Sequence, residues 1–144
     1  MPDKTFEHVV RFFQYQDPNG QVMGFPRVDI TLITASNNRI FLSLLFDTGA
    51  DFTTLRADFY PILGLHSWDE GQRVDISTVG GPSVAYQYTA TLEIFGKIIT
   101  CPIHLAQMPS NPFYSGLLGR NTVFNEFGFG FWESTNELYV TGNP

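Results

Sequence analysis

The chain has 144 residues, of which 43% are hydrophobic, enough for one domain with a core of its own and too few for a second. Eight Lys and Arg stand against fourteen Asp and Glu, a net charge of −6 with no basic cluster, which argues against nucleic-acid binding through phosphate neutralisation. Fourteen Phe, six Tyr and two Trp beside only 15% charged residues point to strands, because a helical bundle would carry more Glu, Lys and Ala.

Cys101 is the only cysteine, so an internal disulfide framework is excluded and a reducing compartment is expected. The start, Met1-Pro2-Asp3-Lys4, lacks the charged-then-apolar order of a secretory signal, and no apolar run reaches the roughly 18 residues that span a bilayer. The expectation is a soluble, cytoplasmic, single-domain chain over residues 1–144 with no membrane partner.

From Val9 to Phe25 two apolar runs flank Asp17-Pro18-Asn19-Gly20, whose turn chemistry predicts an antiparallel N-terminal hairpin, an extension over residues 1–25. Val28, Ile30 and Leu32 alternate with Asp29, Thr31 and Ile33. Ser36-Asn37-Asn38 breaks the run before a second strand, Ile40 to Phe46, which delivers Asp47. Thr53 to Leu65 mixes Leu55, Phe59, Ile62 and Leu63 with Pro61 and Gly64, predicting a short strand and then an irregular or single-turn helical excursion. Val74–Val79 and Val84–Tyr88 form a long hairpin around a Gly80-Gly81-Pro82 tip. A second hairpin joins Thr89–Phe95 to Ile98–Leu105 through Gly96-Lys97.

Met108 to Pro112 reads as a loop, Leu117-Leu118 as a short buried strand, and residues 120–127 as one brief helix. Phe127, Phe129 and Phe131 alternate with Gly128 and Gly130, giving an aromatic face for the core or a dimer contact and a bare face where another backbone packs close. Leu138 to Val140 is the last strand. On the strand pattern Cys101, Ile103 and Leu105 share the core face, which turns His104 to solvent. Cys101 and His104 make only half a zinc site, so no metal is expected. Gly116–Arg120 lacks the Lys-Ser/Thr of a phosphate loop and Phe127–Trp132 lacks the third glycine of a dinucleotide motif, so no cofactor is expected either.

The chemistry concentrates in Leu44-Leu45-Phe46-Asp47-Thr48-Gly49-Ala50-Asp51, one acid on a small-residue turn after an apolar strand. A carboxylate there needs partners, which the Thr48 hydroxyl and the close approach allowed by Gly49 offer. With no Ser, Cys or His nucleophile in the segment, chemistry must run on carboxyl groups. Carboxyl catalysis wants two acids with split pKa values, so the second must come from another copy of the chain.

This Asp-Thr-Gly-Ala stretch, preceded by an apolar strand and followed downstream by Gly116-Leu117-Leu118-Gly119-Arg120-Asn121, resembles the retropepsin-like (retroviral-type) aspartic proteases over roughly residues 28–140. The resemblance implies an all-β, closed β-barrel fold with a hairpin flap and one short helix, acting as a homodimer on a peptide or protein substrate. It makes Asp47 the catalytic residue, with Thr48, Gly49 and Ala50 in support. Thr48 would hydrogen-bond across the dimer axis, and Leu45 and Leu117 would line apolar substrate pockets. Asp51 borders the substrate and pairs with Arg120, a structural anchor tying the acidic loop to the helix start. Val79, Gly80 and Gly81 correspond to the flap over the bound peptide. Ala50, in place of a hydroxyl residue, removes a donor that would stabilise the ionised acid, so the pH optimum is expected to be less acidic than in pepsin-like enzymes. The alternative of another class is a non-catalytic dimer that uses the same groove to bind peptides or to assemble. Intact Asp47, Thr48 and Gly49 favour the enzyme.

Overall fold

A computed structural model describes residues 6–142, so the expectation drawn from Met1–Lys4 lies outside the described residues. In chain order the elements are β1 (His8–Arg11), β2 (Phe13–Gln16), β3 (Val22–Phe25), β4 (Arg27–Ile33), β5 (Arg39–Phe46), β6 (Thr53–Arg56) and a 3-10 turn (Ala57–Leu63). There follow β7 (Gln72–Thr78), β8 (Gly81–Ile94), β9 (Lys97–Ala106), β10 (Gly116–Leu118), α1 (Val123–Glu126), β11 (Phe127–Trp132), a second 3-10 turn (Glu133–Thr135) and β12 (Glu137–Gly142).

Alternation decides the architecture. In β4 and β5 every second residue is buried, including Val28, Ile30, Leu32, Leu42 and Leu44, so both strands turn one face inward. Hydrogen bonding runs in the order β4-β5-β10-β6-β9-β8-β7, and β8 also returns to β4 through Thr31–Glu93, Leu32–Leu92 and Ile33–Thr91. The strands from β4 round to β8 therefore close on themselves, and β7 hangs from the outer edge of β8. Closure removes exposed sheet edges and gathers Leu32, Leu44, Leu55, Leu92, Ile103, Leu105 and Leu118 inside, all at most 2% exposed. Each such side chain contributes about 1.5–3 kcal/mol by leaving water. A second sheet, β1-β12-β11, adds Leu138, Val140 and Phe127 to the same core.

The predicted N-terminal hairpin forms, but only over β2 and β3, where Asp17 Oδ1 accepts from the backbone N–H of Asn19 and Gln21 at 2.9 Å. Val9 and Val10 are drawn away instead, because β1 pairs with β12 and Phe12 drops into the core between the two pieces. The turn joining β8 to β9 falls on Phe95-Gly96, one residue earlier than expected. Both residues take positive φ, 50° and 75°, and the strain at Phe95 is offset by packing of its ring on Phe127 at 5.3 Å.

The tip of the β7–β8 hairpin is likewise Val79-Gly80. Gly81 and Pro82 belong to β8, opposite Thr78 and Ser77. The helix near residues 120–127 shrinks to α1, because Phe127 is already extended (φ −139°, ψ 152°) to carry its ring into the core. Over Gly130 lie the rings of Phe6 and Trp132 rather than a neighbouring backbone. His104 is buried, not solvent-facing: β9 ends between β6 and β8, where the ring of Phe52 covers its outer face. Cys101 is buried as expected, and burial pushes its thiol up to about 11.

Candidate active site

Strand β5 ends on Phe46, 5% exposed beneath Phe124 and Phe129, so the next residue, Asp47, leaves the barrel at a fixed height. Its backbone N–H donates to Leu118 O at 3.1 Å, continuing the parallel pairing of β5 with β10. The chain then reverses. Ala50 N–H donates to Asp47 O at 3.2 Å, and Gly49 N–H donates to Asp47 Oδ1 at 2.9 Å. A Cβ at position 49 would stand 3.3 Å from that same oxygen, so glycine lets the amide approach the carboxylate without crowding it. Asp47 is half-buried, and Thr48 and Gly49 are exposed.

The second stretch singled out in the sequence fastens this loop from below. Arg120 N–H donates to Ala50 O at 2.9 Å, Asn121 N–H to Asp51 O at 2.7 Å, and Gly119 N–H to the buried Thr53 hydroxyl at 3.1 Å. The side chains of Arg120 and Asp51 approach only to 4.0 Å, and both are exposed, so in one chain the backbone makes the tie and the ion pair adds little to it.

Leu45 and Leu117 are direct neighbours in the parallel register and half-buried on the face opposite Leu44 and Leu118. They form an apolar patch outside the barrel beside Asp47, flanked by Arg27 on β4 and Thr54 on β6. Val79 is fully exposed at the end of the β7–β8 hairpin. Its turn is braced by the Thr78 hydroxyl donating to Gly81 O at 2.8 Å, and Gly81 has φ +110°.

Two features escape sequence reasoning. His104 stacks on Phe52, the residue after Asp51, with centroids 4.2 Å apart and 20° between the planes, and its Nε2 lies 3.1 Å from Gln87 Oε1. Burial lowers its pKa. The position beside Phe52 was within reach of a register argument, since β6 runs beside β9 with Thr54 opposite His104. The other feature is an aromatic cluster of Phe13, Tyr15, Phe25, Phe113 and Tyr114, in which the N-terminal hairpin meets a loop far from it in sequence.

A cleft of about 410 Å³ is lined by Arg27, Ser43, Arg56 and the 110–115 segment, and one of about 390 Å³ by Arg56, Tyr60, Trp68 and Met108. Asp47 lines neither of these two clefts.

No protein-family model matches the sequence, and no curated protein matches it. Among solved structures, a retropepsin-like aspartic protease from Rickettsia conorii is similar at 16% identity, covering 92% of this chain and 88% of that one, with a TM-score of 0.63. The EIAV protease complexed with the inhibitor HBY-793 aligns at 24% identity over 67% of this chain and 82% of that one, with a TM-score of 0.49. The first of these likenesses gives the fold: all-β and retropepsin-like.

Proposed function

We propose that the chain is an aspartic endopeptidase that hydrolyses peptide bonds in extended polypeptide segments as a homodimer. The observation that carries this is the setting of Asp47. The acid has one oxygen held by the Gly49 amide, and its loop is sewn to β10 and to the turn before α1. It is half-buried, and among the described residues no second acid shares a hydrogen bond with its side chain.

A two-fold axis through this loop brings two copies of Asp47 together. Carboxyls a few ångströms apart cannot both ionise at modest cost, so they hold one proton between them and titrate as a pair. The ionised member takes a proton from a trapped water, which attacks the scissile carbonyl. The protonated member donates to the carbonyl oxygen, and the roles reverse as the tetrahedral intermediate collapses. An isologous dimer is the commonest homo-oligomer, so the requirement is a light one.

The remaining residues take supporting roles. Thr48 bonds across the axis beneath the acids, and Ala50 keeps the loop compact. Leu45 and Leu117 receive apolar side chains, Asp51 and the flap residues Val79, Gly80 and Gly81 border the peptide backbone, and Arg120 anchors the loop. Substrate lies extended between flap and floor, held largely through its main chain.

The test is incubation with a degenerate peptide library at several pH values, with and without a statine-type transition-state mimic. The expected result is cleavage that the mimic blocks, with Asp47→Asn abolishing it by at least about 10³-fold while leaving dimerisation and peptide binding intact. Activity that persists in Asp47→Asn overturns the two-carboxyl mechanism. With Ala50 in place of a hydroxyl residue, a rate profile that peaks near about pH 2 overturns the expected milder optimum.

A further inference from the structure

The N-terminal hairpin has a sided composition that the proposed reaction leaves unexplained. Phe13 and Tyr15 on β2 and Phe25 on β3 are half-buried together, whereas Gln14, Gln16, Val22 and Gly24 are exposed. A two-stranded sheet is marginal by itself and must pack on something. Here the packing partner is the loop that leads into Leu117. Phe113 lies 5.1 Å from the Phe13 ring, 5.1 Å from Tyr15 in a stacked pair and 6.3 Å from Phe25. Tyr114 meets Phe25 edge-on at 5.6 Å.

Arg27 fastens the three pieces. Its guanidinium sits 4.0 Å from the centroid of Phe13 and donates to Phe113 O at 3.2 Å, while its backbone pairs with Leu45. The far end of the loop is held differently, by Ser115 N–H donating to Ser43 O at 2.8 Å and Arg56 N–H donating to Ser115 O at 3.2 Å. Phe113 is held on its backbone by Arg27 and by its N–H donating to Asn111 Oδ1 at 2.8 Å, and the rings of Phe113 and Tyr114 pack on the hairpin. The hairpin in turn leaves β4 at the level of the acid, where Phe46 N–H donates to Pro26 O at 3.0 Å.

We infer that the β2–β3 hairpin sets substrate selectivity: by bracing Phe113 and Tyr114, on the segment that runs through Ser115 into β10 where Leu117 pairs with Leu45, it shapes a pocket for a large apolar or aromatic side chain next to the scissile bond. This rests on the proposed peptidase reading of the Leu45–Leu117 patch. Phe13 and Tyr15 are positioning residues that act through the loop and touch neither acid nor substrate. They work as the back wall of a binding pocket does, by denying the front wall room to retreat.

The experiment compares wild type with Phe13→Ala, Tyr15→Ser and Tyr15→Phe on two matched peptide series, one with Phe or Leu and one with Ala beside the cleaved bond. Expected for Phe13→Ala and Tyr15→Ser is a KM raised about tenfold for the large-residue series, with kcat and the pH profile unchanged, the Ala series unaffected and Tyr15→Phe restoring wild-type behaviour. Melting temperature is followed in parallel. Loss that falls equally on both series, or no change in either, overturns the inference while leaving the peptidase reading intact.

If wild type cleaves nothing, the same variants are tested for binding to the two series by fluorescence anisotropy. Selective loss of affinity for the large-residue peptides sustains the hairpin's role and moves the fault to the hydrolytic reading. A wild-type chain that neither cleaves nor binds either series overturns both.

Discussion

At the scale of single residues, small groups hold the Asp47 side chain in place. Gly49 supplies an amide at hydrogen-bonding distance from the Asp47 carboxylate, and the hydroxyl of Thr53 receives Gly119 N–H inside the protein. His104 is the residue whose behaviour the strand pattern misjudged. Packed under Phe52 and bonded to Gln87, it is held neutral, its pKa lowered from 6.5 by burial. With a folded pKa below the unfolded one, the unfolded chain binds more protons as pH drops through that interval. Stability is therefore intact above about pH 6.5 and declines as the solution becomes more acidic. Thermal melts between pH 7.5 and 5 should show a falling melting temperature that His104→Gln flattens. An unchanged slope in that variant overturns the assignment.

At the scale of elements, two short segments do the positioning. The loop from Asp47 to Phe52 and the turn from Gly119 to Asn121 exchange backbone hydrogen bonds in both the Ala50 and Asp51 positions, which fixes the acid without a buried ion pair. The fit is tight enough that a Cβ on Gly119 would land on the carbonyl of Phe52. Gly119→Ala is expected to cost about 3 kcal/mol, as other overpacked sites do, and to be read as a lower denaturant midpoint. Activity per folded molecule should fall as well, because relief of the clash must shift the acidic loop. A variant as stable as wild type overturns the close packing. The β7–β8 hairpin is the opposite kind of element. β7 pairs only with β8 in the barrel sheet, most of its side chains are exposed, and its tip is Val79-Gly80. Such a hairpin opens at little cost, as the proposed flap over a bound peptide requires.

For the whole molecule, closure of β4 through β8 makes a barrel that carries Asp47 half-buried in the loop after β5, and the proposed reaction ties activity to a second copy. Specific activity should fall on dilution and recover on concentration, with a midpoint that matches the dimer dissociation constant from sedimentation. Activity per chain that stays constant well below that midpoint overturns the homodimer. Arg120→Met, removing an exposed cation beside the loop, should move both midpoints together. Among the described residues no helix is long and apolar enough to cross a membrane. The sequence alone determined the all-β class, the strands on either side of the acid and the residues that meet around it, because those features rest on local alternation and on short stretches that carry their own geometry. It also determined that the chain carries a single Asp-Thr-Gly. Only the tertiary structure decided that Val9 leaves the hairpin for β12, that α1 yields Phe127 to a strand, that His104 is roofed by Phe52 and that Phe13, Phe25 and Phe113 meet. Each of these depends on what a distant segment places on the other side of a strand, and a pattern of period two tells which residues share a face but not what will cover it.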